Sequence, residues 1–210
     1  MKRIAIIDYG SGNLRSAAKA LDAVARADEQ VMVTDKAADV AAADRIVLPG
    51  VGAFADCMRG LMASPAMVPA LKRRVLEQGV PFLGICVGMQ LLADEGHEHG
   101  TSAGLGWIGG DVKALAPPEG GKIPHMGWNM LTMARRHPLF RAIDDGTHMY
   151  FVHSYHFAPR DNGDALARCA YGGDFTAAVG RDNMAGVQFH PEKSQAAGLR
   201  LLRNFLDWTP

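Results

Sequence analysis

Two short stretches of this chain hold the residue types that nucleophilic catalysis requires. The first is "GICVG", Gly84 to Gly88, with Cys86 at its centre. Glycines two residues to either side permit a sharp strand-to-helix turn that lifts the middle side chain above a sheet edge. This is the G-x-nucleophile-x-G pattern with sulfur in place of a hydroxyl. A helix beginning behind the cysteine favours the thiolate, and the backbone N–H of Val87 is placed to meet a developing oxyanion. The second stretch is "GVQFHPEKSQ", Gly186 to Gln195. Its first four residues read as a strand that then delivers His190, Pro191 and Glu192. Residues i and i+2 of an extended segment share a side, and a proline keeps the residue before it extended. Glu192 is thereby set to accept from one imidazole nitrogen of His190 and leave the other as a base. A structural alternative exists for each: a buried cysteine at a strand end, and a strand stopped by proline with a surface His and Glu beyond it.

A third stretch, "LPGVGAF", Leu48 to Phe54, has Gly50 and Gly52 around Val51. A glycine-rich strand-to-helix loop can aim backbone N–H groups at an anion, so it is the candidate for a second oxyanion donor. It is too short, and lacks the lysine, for a phosphate-binding loop. The other cysteines have no such turn: Cys57 falls on a helical face in "FADCMRG" and Cys169 lies mid-strand in "ARCAY", so both are read as structural. Among the 8 histidines, His97 and His99 flank Glu98, and His153 lies near His156, without the convergent framework a metal needs. No metal and no cofactor is expected.

These residues need elements to position them. The first half alternates apolar strands ("RIAIID", "QVMVTD", "DRIVLPG", "VPFLGIC") with helices, one from about Asn13 to Arg26, one over "MVPALKRRVLEQG", and one starting at "VGMQLLADE". That order predicts a parallel sheet covered on both faces. The second half has strand-like runs joined by turns: "HMGWNMLTM", "HMYFVHSYHFAP", "ALARCAYGG", "FTAAVGRDN" and "MAGVQFHP". They predict an antiparallel extension, with "GRDN" as a hairpin turn. A last helix, about Ala196 to Trp208, carries Leu199, Leu202, Phe205 and Leu206 at helical spacing. "APPEGGKIP" reads as a loop rather than a boundary, so residues 1–210 are expected to form a single domain.

With 210 residues and 48% hydrophobic content, the chain is long and apolar enough for a well-buried core. Lys+Arg 22 balances Asp+Glu 22, leaving no electrostatic footprint for nucleic acid or an anionic membrane. The apolar run in "MKRIAIIDYG" stops at Asp8, too short for a signal peptide or a membrane span. Three widely spaced cysteines suit a reducing cytosol rather than a disulfide framework.

"GICVGMQ" followed about a hundred residues later by "FHPE", on an α/β chain of this length, resembles the class I, triad-type glutamine amidotransferases. "IIDYGSGNLRS", "LPGVGAF", "PHMGWN", "YFVHSYH" and "GVQFHPEKSQ" are similar to one branch of that family, the glutaminase subunits of imidazole glycerol phosphate synthases, and the resemblance runs from Ile4 to the last helix. It implies a three-layer, flavodoxin-like sheet and a Cys86–His190–Glu192 triad that splits glutamine through a cysteinyl thioester. By the same resemblance, Gln90, Glu98, Ser154 and Tyr155 bind substrate, although "GHEHG" around Glu98 departs from the family's usual Ser-Glu-Glu-Gly. Val87 stands where the family typically has Leu. The partner implied is a (β/α)8 cyclase subunit, met through Asn13 and the "HMGWN" segment with Met126, Trp128 and Asn129, Trp128 being the anchor. The alternatives are the glutaminase subunit of another amidotransferase, such as the one serving pyridoxal phosphate synthesis, a stand-alone γ-glutamyl hydrolase, and a catalytically silent regulatory module.

Overall fold

The computed structural model describes residues 1–117 and 119–210; Pro118, within the expected "APPEGGKIP" loop, lies outside them. The first half runs β1 (Lys2–Ile7), α1 (Leu14–Val24), β2 (Glu29–Thr34), α2 (Ala37–Ala41), β3 (Arg45–Gly50), α3 (Phe54–Met62), α4 (Met67–Lys72), β4 (Phe82–Cys86) and α5 (Val87–Gln90). A π-helical turn, Arg73–Glu77, continues α4. Then follow β5 (Glu95–Gly96), β6 (Ser102–Ala103), β7 (Gly110–Ala114), β8 (His125–Met130), β9 (Thr132–Met133), β10 (His148–His153), β11 (Tyr155–Pro159), β12 (Ala165–Ala170), β13 (Asp174–Arg181), β14 (Met184–Val187) and α6 (Gln195–Asp207).

Eight strands form the main sheet in the order β2-β1-β3-β4-β14-β13-β12-β9. The four apolar runs of the first half pair in parallel, as their continuous hydrophobicity predicts. β14 joins them parallel to β4, with Gly186 opposite Gly84 and Val187 opposite Ile85. From β14 outward the pairing turns antiparallel. The β13–β14 hairpin closes at Arg181 opposite Met184, with Asp182 left-handed (φ 51°) in its two-residue turn. The central position of β4 and β14 sets the ends of "FLGIC" and "MAGV" side by side, which brings Cys86 and His190 within reach of each other.

Three readings of local structure are corrected. The helix after Cys86 is one turn long. The carbonyls of Leu91, Leu92, Ala93 and Asp94 accept from the amides of Leu105, Trp107, Gly106 and Gly104 instead of from their own i+4 partners, so the chain leaves the helical path. The run "HMYFVHSYHFAP" is two strands in two sheets: β10 pairs β8, and β11 joins a four-stranded sheet in the order β11-β7-β5-β6, with the break at Ser154. The last strand stops at Val187 rather than Phe189. Beyond it His190 N–H bonds the Tyr150 carbonyl of β10, and Pro191–Lys193 form a 3₁₀ turn.

Candidate active site

Cys86 ends β4 with φ 55° and ψ −114°, a left-handed conformation that costs a non-glycine residue of order 1–3 kcal/mol. Its neighbours explain why it persists. A Cβ on Gly84 would meet the Gly88 carbonyl, and one on Gly88 would overlap the Leu48 carbonyl. A Cβ on Gly50 would lie 2.7 Å from Gly88 N and from the Tyr9 hydroxyl, which itself donates to the Pro49 carbonyl at 2.7 Å. The first turn of α5 is therefore packed backbone to backbone against the ends of β3 and β4, and the turn at Cys86 is the way out. Val87, the first residue of α5, has a backbone N–H with no acceptor in its helix.

His190 holds Glu192 at 2.8 Å, Nδ1 to Oε1, with both side chains almost wholly buried. The i, i+2 pairing is real, but the 3₁₀ turn makes it, since Glu192 is not extended. Nε2 of His190 is buried and closes no hydrogen bond. Burial works against a charged ring, yet the nearby Cys86 sulfur and the bonded, charged Glu192 outweigh it, and the imidazole is pushed up to about 9. Asn13, one of the residues expected to meet a partner, stands behind the pair and donates from Nδ2 to Glu192 Oε1 at 3.4 Å.

A cavity of about 440 Å³ opens over this pair, lined by Cys86, Val87, Gln90, Glu98, Ser154, Tyr155 and His190, with Val51 and Gly52 on one side. All the residues expected to bind substrate therefore reach one space. Gln90 is 3% exposed. Its Nε2 donates to the Tyr155 carbonyl at 3.0 Å and to Gln188 Oε1 at 2.9 Å, leaving Oε1 without a partner among the described residues. Glu98 Oε2 accepts from Phe54 N–H at 2.8 Å, tying its loop to the start of α3. Glu192 and Gly50 do not line the cavity: the first backs His190, the second underlies the turn.

The glycine loop has a partner that was not foreseen. Ser11 accepts from Val51 N–H at 3.4 Å and donates to the Val51 carbonyl, so in this arrangement the Val51 amide is turned to Ser11. Gly52, at φ 94°, has open space around it. Cys57 lies behind the loop, 3.4 Å from the same carbonyl, and burial raises its thiol. Gln188 was also missed. A lone glutamine within a strand-like run carries no signal of its own, yet it is fully buried beside the Cys86 sulfur. Among the described residues the grouping of metal-ligand type is Glu95, His97 and Asp111, outside the cavity lining and without His99, His153 or His156.

Beside the cavity, β8 carries Met126 (63% exposed), Trp128 (46%) and Met130 (53%) on one face. Trp128 packs edge-on against Tyr150, and Met126 stands opposite Val152, itself a lining residue of the cavity. Asn129 points the other way and donates to the Ala170 carbonyl at 2.9 Å.

A family model described as glutamine amidotransferase class-I matches residues 5–208. The chain is 60% identical to the imidazole glycerol phosphate synthase subunit HisH of Rhodospirillum rubrum, over 99% of this chain and 100% of that protein. It is 58% identical to the protein of the same description from Zymomonas mobilis, over 99% and 96% respectively. Among solved structures, PurLQS from Thermotoga maritima superposes with a TM-score of 0.73 over 98% of each chain at 21% identity, a likeness of fold. Cysteine turn, His–Glu pair, sheet order and relatives agree: the chain belongs to the class I glutamine amidotransferase family, and within it to the group of imidazole glycerol phosphate synthase subunits HisH.

Proposed function

We propose that residues 1–210 form one amidotransferase domain that hydrolyses glutamine to glutamate and ammonia and passes the ammonia to a (β/α)8 cyclase subunit making imidazole glycerol phosphate and AICAR. The observation that carries this reading is the cavity in which Cys86, on its strained turn, meets His190 backed by Glu192. The Cys86 sulfur attacks the side-chain amide carbon of glutamine, and the carbonyl becomes an oxyanion held by Val87 N–H. His190 gives its Nε2 proton to the amide nitrogen, and ammonia leaves a thioester. The now neutral ring takes a proton from water, hydroxide adds to the thioester carbon, and glutamate leaves as the sulfur is released. Glu192 holds the ring and its charge through both halves. Gln90 Oε1, Glu98, Ser154 and Tyr155 hold the substrate's polar ends. Three free, buried cysteines suit the cytoplasm, where we place the protein; no helix among the described residues is long and apolar enough to cross a membrane.

Val51 N–H must leave Ser11 before it can serve as a second oxyanion donor, so the lone chain is expected to be a poor glutaminase. The exposed Met126–Trp128–Met130 face adjoins the cavity rim and suits the partner that would turn the loop. Ammonia release is measured for the chain alone, with the cyclase subunit, and with that subunit plus its nucleotide ligand. The expected order is low, higher, highest, and Trp128→Ala should weaken partner binding by roughly 30-fold. Full activity of the lone chain contradicts the gating, unchanged affinity in a folded Trp128→Ala chain contradicts the anchor, and no ammonia in any arm contradicts the function.

The raised His190 also sets a pH limit. Its proton is the one given to the leaving ammonia, so kcat/KM should fall as pH rises through about 9. Glu192 is among the groups that raise this value. In Glu192→Gln the alkaline limb should therefore move toward neutrality. A limb that stays in place in that variant contradicts the role given to Glu192.

A further inference from the structure

The Cys86 sulfur has a polar neighbour besides His190. Gln188, the residue after β14, is 0% exposed, and its Nε2 lies 3.7 Å from Cys86 Sγ. Which end of this amide faces the sulfur follows from a group two steps away. The Tyr155 carbonyl can only accept, and it takes Gln90 Nε2 at 3.0 Å and His153 Nδ1 at 2.8 Å. Gln90 must therefore present its NH₂ on that side, and the second hydrogen of the same NH₂ reaches Gln188 Oε1 at 2.9 Å. With its oxygen committed to Gln90, Gln188 has only its NH₂ to turn to Cys86. Flipping it would set NH₂ against NH₂ at the contact with Gln90 and take the N–H away from the sulfur.

We propose that Gln188 is a positioning residue for the nucleophile: it donates an N–H to the Cys86 sulfur, favours the anionic sulfur, and fixes the direction from which it attacks. An N–H aimed at a buried anion stabilises it more than an N–H in water does, because the local dielectric is low. Gln188 therefore adds a second polar contact at the Cys86 sulfur, beside that of His190. The inference rests on Cys86 being the nucleophile, as proposed above. It adds that the geometry of the nucleophile is set from the Tyr155 carbonyl through two glutamines, on elements other than the one that carries the cysteine.

The test is the pH dependence of Cys86 alkylation by iodoacetamide, read peptide by peptide in the mass spectrometer, for wild type, Gln188→Met and Gln188→Glu. Methionine keeps the shape and removes the donor; glutamate keeps the acceptor for Gln90 and sets an oxygen against the sulfur. Loss of the donor should move the Cys86 midpoint up by about one pH unit, and glutamate should move it further. A role in packing alone leaves the midpoint in place, so unchanged midpoints in folded variants overturn the proposal. Should neither variant melt like wild type, Gln90→Met decides, since it frees Gln188 to turn and should move the midpoint the same way. The wild-type profile separates the two claims. If Cys86 reacts no faster than Cys57 and Cys169, the nucleophile reading itself fails; if it reacts faster and the variants do not shift it, only the role of Gln188 fails.

Discussion

Replacing Cys86 by alanine is expected to lower glutamine-dependent turnover by roughly 10⁴-fold or more, the loss seen when a nucleophile that works as part of a unit is removed. No other thiol can take its place. Burial pushes the Cys169 thiol up to about 12, within a strand of the main sheet. Cys57 is also raised by burial, and its sulfur is engaged by Ser11 and the Val51 carbonyl. The synthase formed with the cyclase subunit should still work at full rate when supplied with free ammonia, because that route bypasses the thioester. Both activities are measured on one preparation of the complex. Loss of the two together would mean that the substitution had damaged assembly rather than chemistry.

The other large effect is on stability. Gly88→Ala is expected to destabilise the fold by about 3 kcal/mol or more, at the upper end of overpacking costs. The added methyl group would run into the Leu48 carbonyl of β3, and backbone cannot rotate aside as a long side chain can. Gly52→Ala is the matched control. Its φ of 94° is also unfavourable for alanine, but nothing lies within 4 Å of the added carbon, so only backbone strain of about 1–2 kcal/mol is expected. Urea unfolding of the two variants beside wild type gives the comparison. A Gly88→Ala chain as stable as Gly52→Ala would show that β3 and α5 are not packed as described.

These two glycines mark what could be read in the sequence and what could not. The apolar runs of the first half announce parallel strands because both faces of such strands are covered, and β1 to β4 follow them closely. Cys86, His190 and Glu192 are legible because their geometry is local: a turn between glycines, and two residues joined by a proline. What was hidden depends on partners far away in the chain. Asn13 reaches Glu192 across 179 positions, and Gln90 reaches Tyr155 across 65 and Gln188 across 98. No spacing rule announces such contacts. A buried glutamine in a strand reads as ordinary alternation until its neighbours are known. The break at Ser154 was hidden for a related reason. Both halves of "HMYFVHSYHFAP" are good strands, and only their different partners, β8 and β7, show that they part. The short α5 likewise depends on the amides of residues 104–107, which take the carbonyls a longer helix would have used.

The claim on which the rest depends is that Cys86 attacks the side-chain carbonyl carbon of glutamine in this cavity. It is tested most directly with a glutamine analogue that carries a diazoketone in place of the carboxamide and traps an attacking sulfur covalently. The complex with the cyclase subunit is incubated with the analogue and analysed by peptide mass. The expected result is one label per chain, on the Cys86 peptide, slowed by excess glutamine and absent in Cys86→Ala. A label on Cys57 or Cys169, or an unlabelled Cys86 in a complex that still releases ammonia from glutamine, would contradict the account.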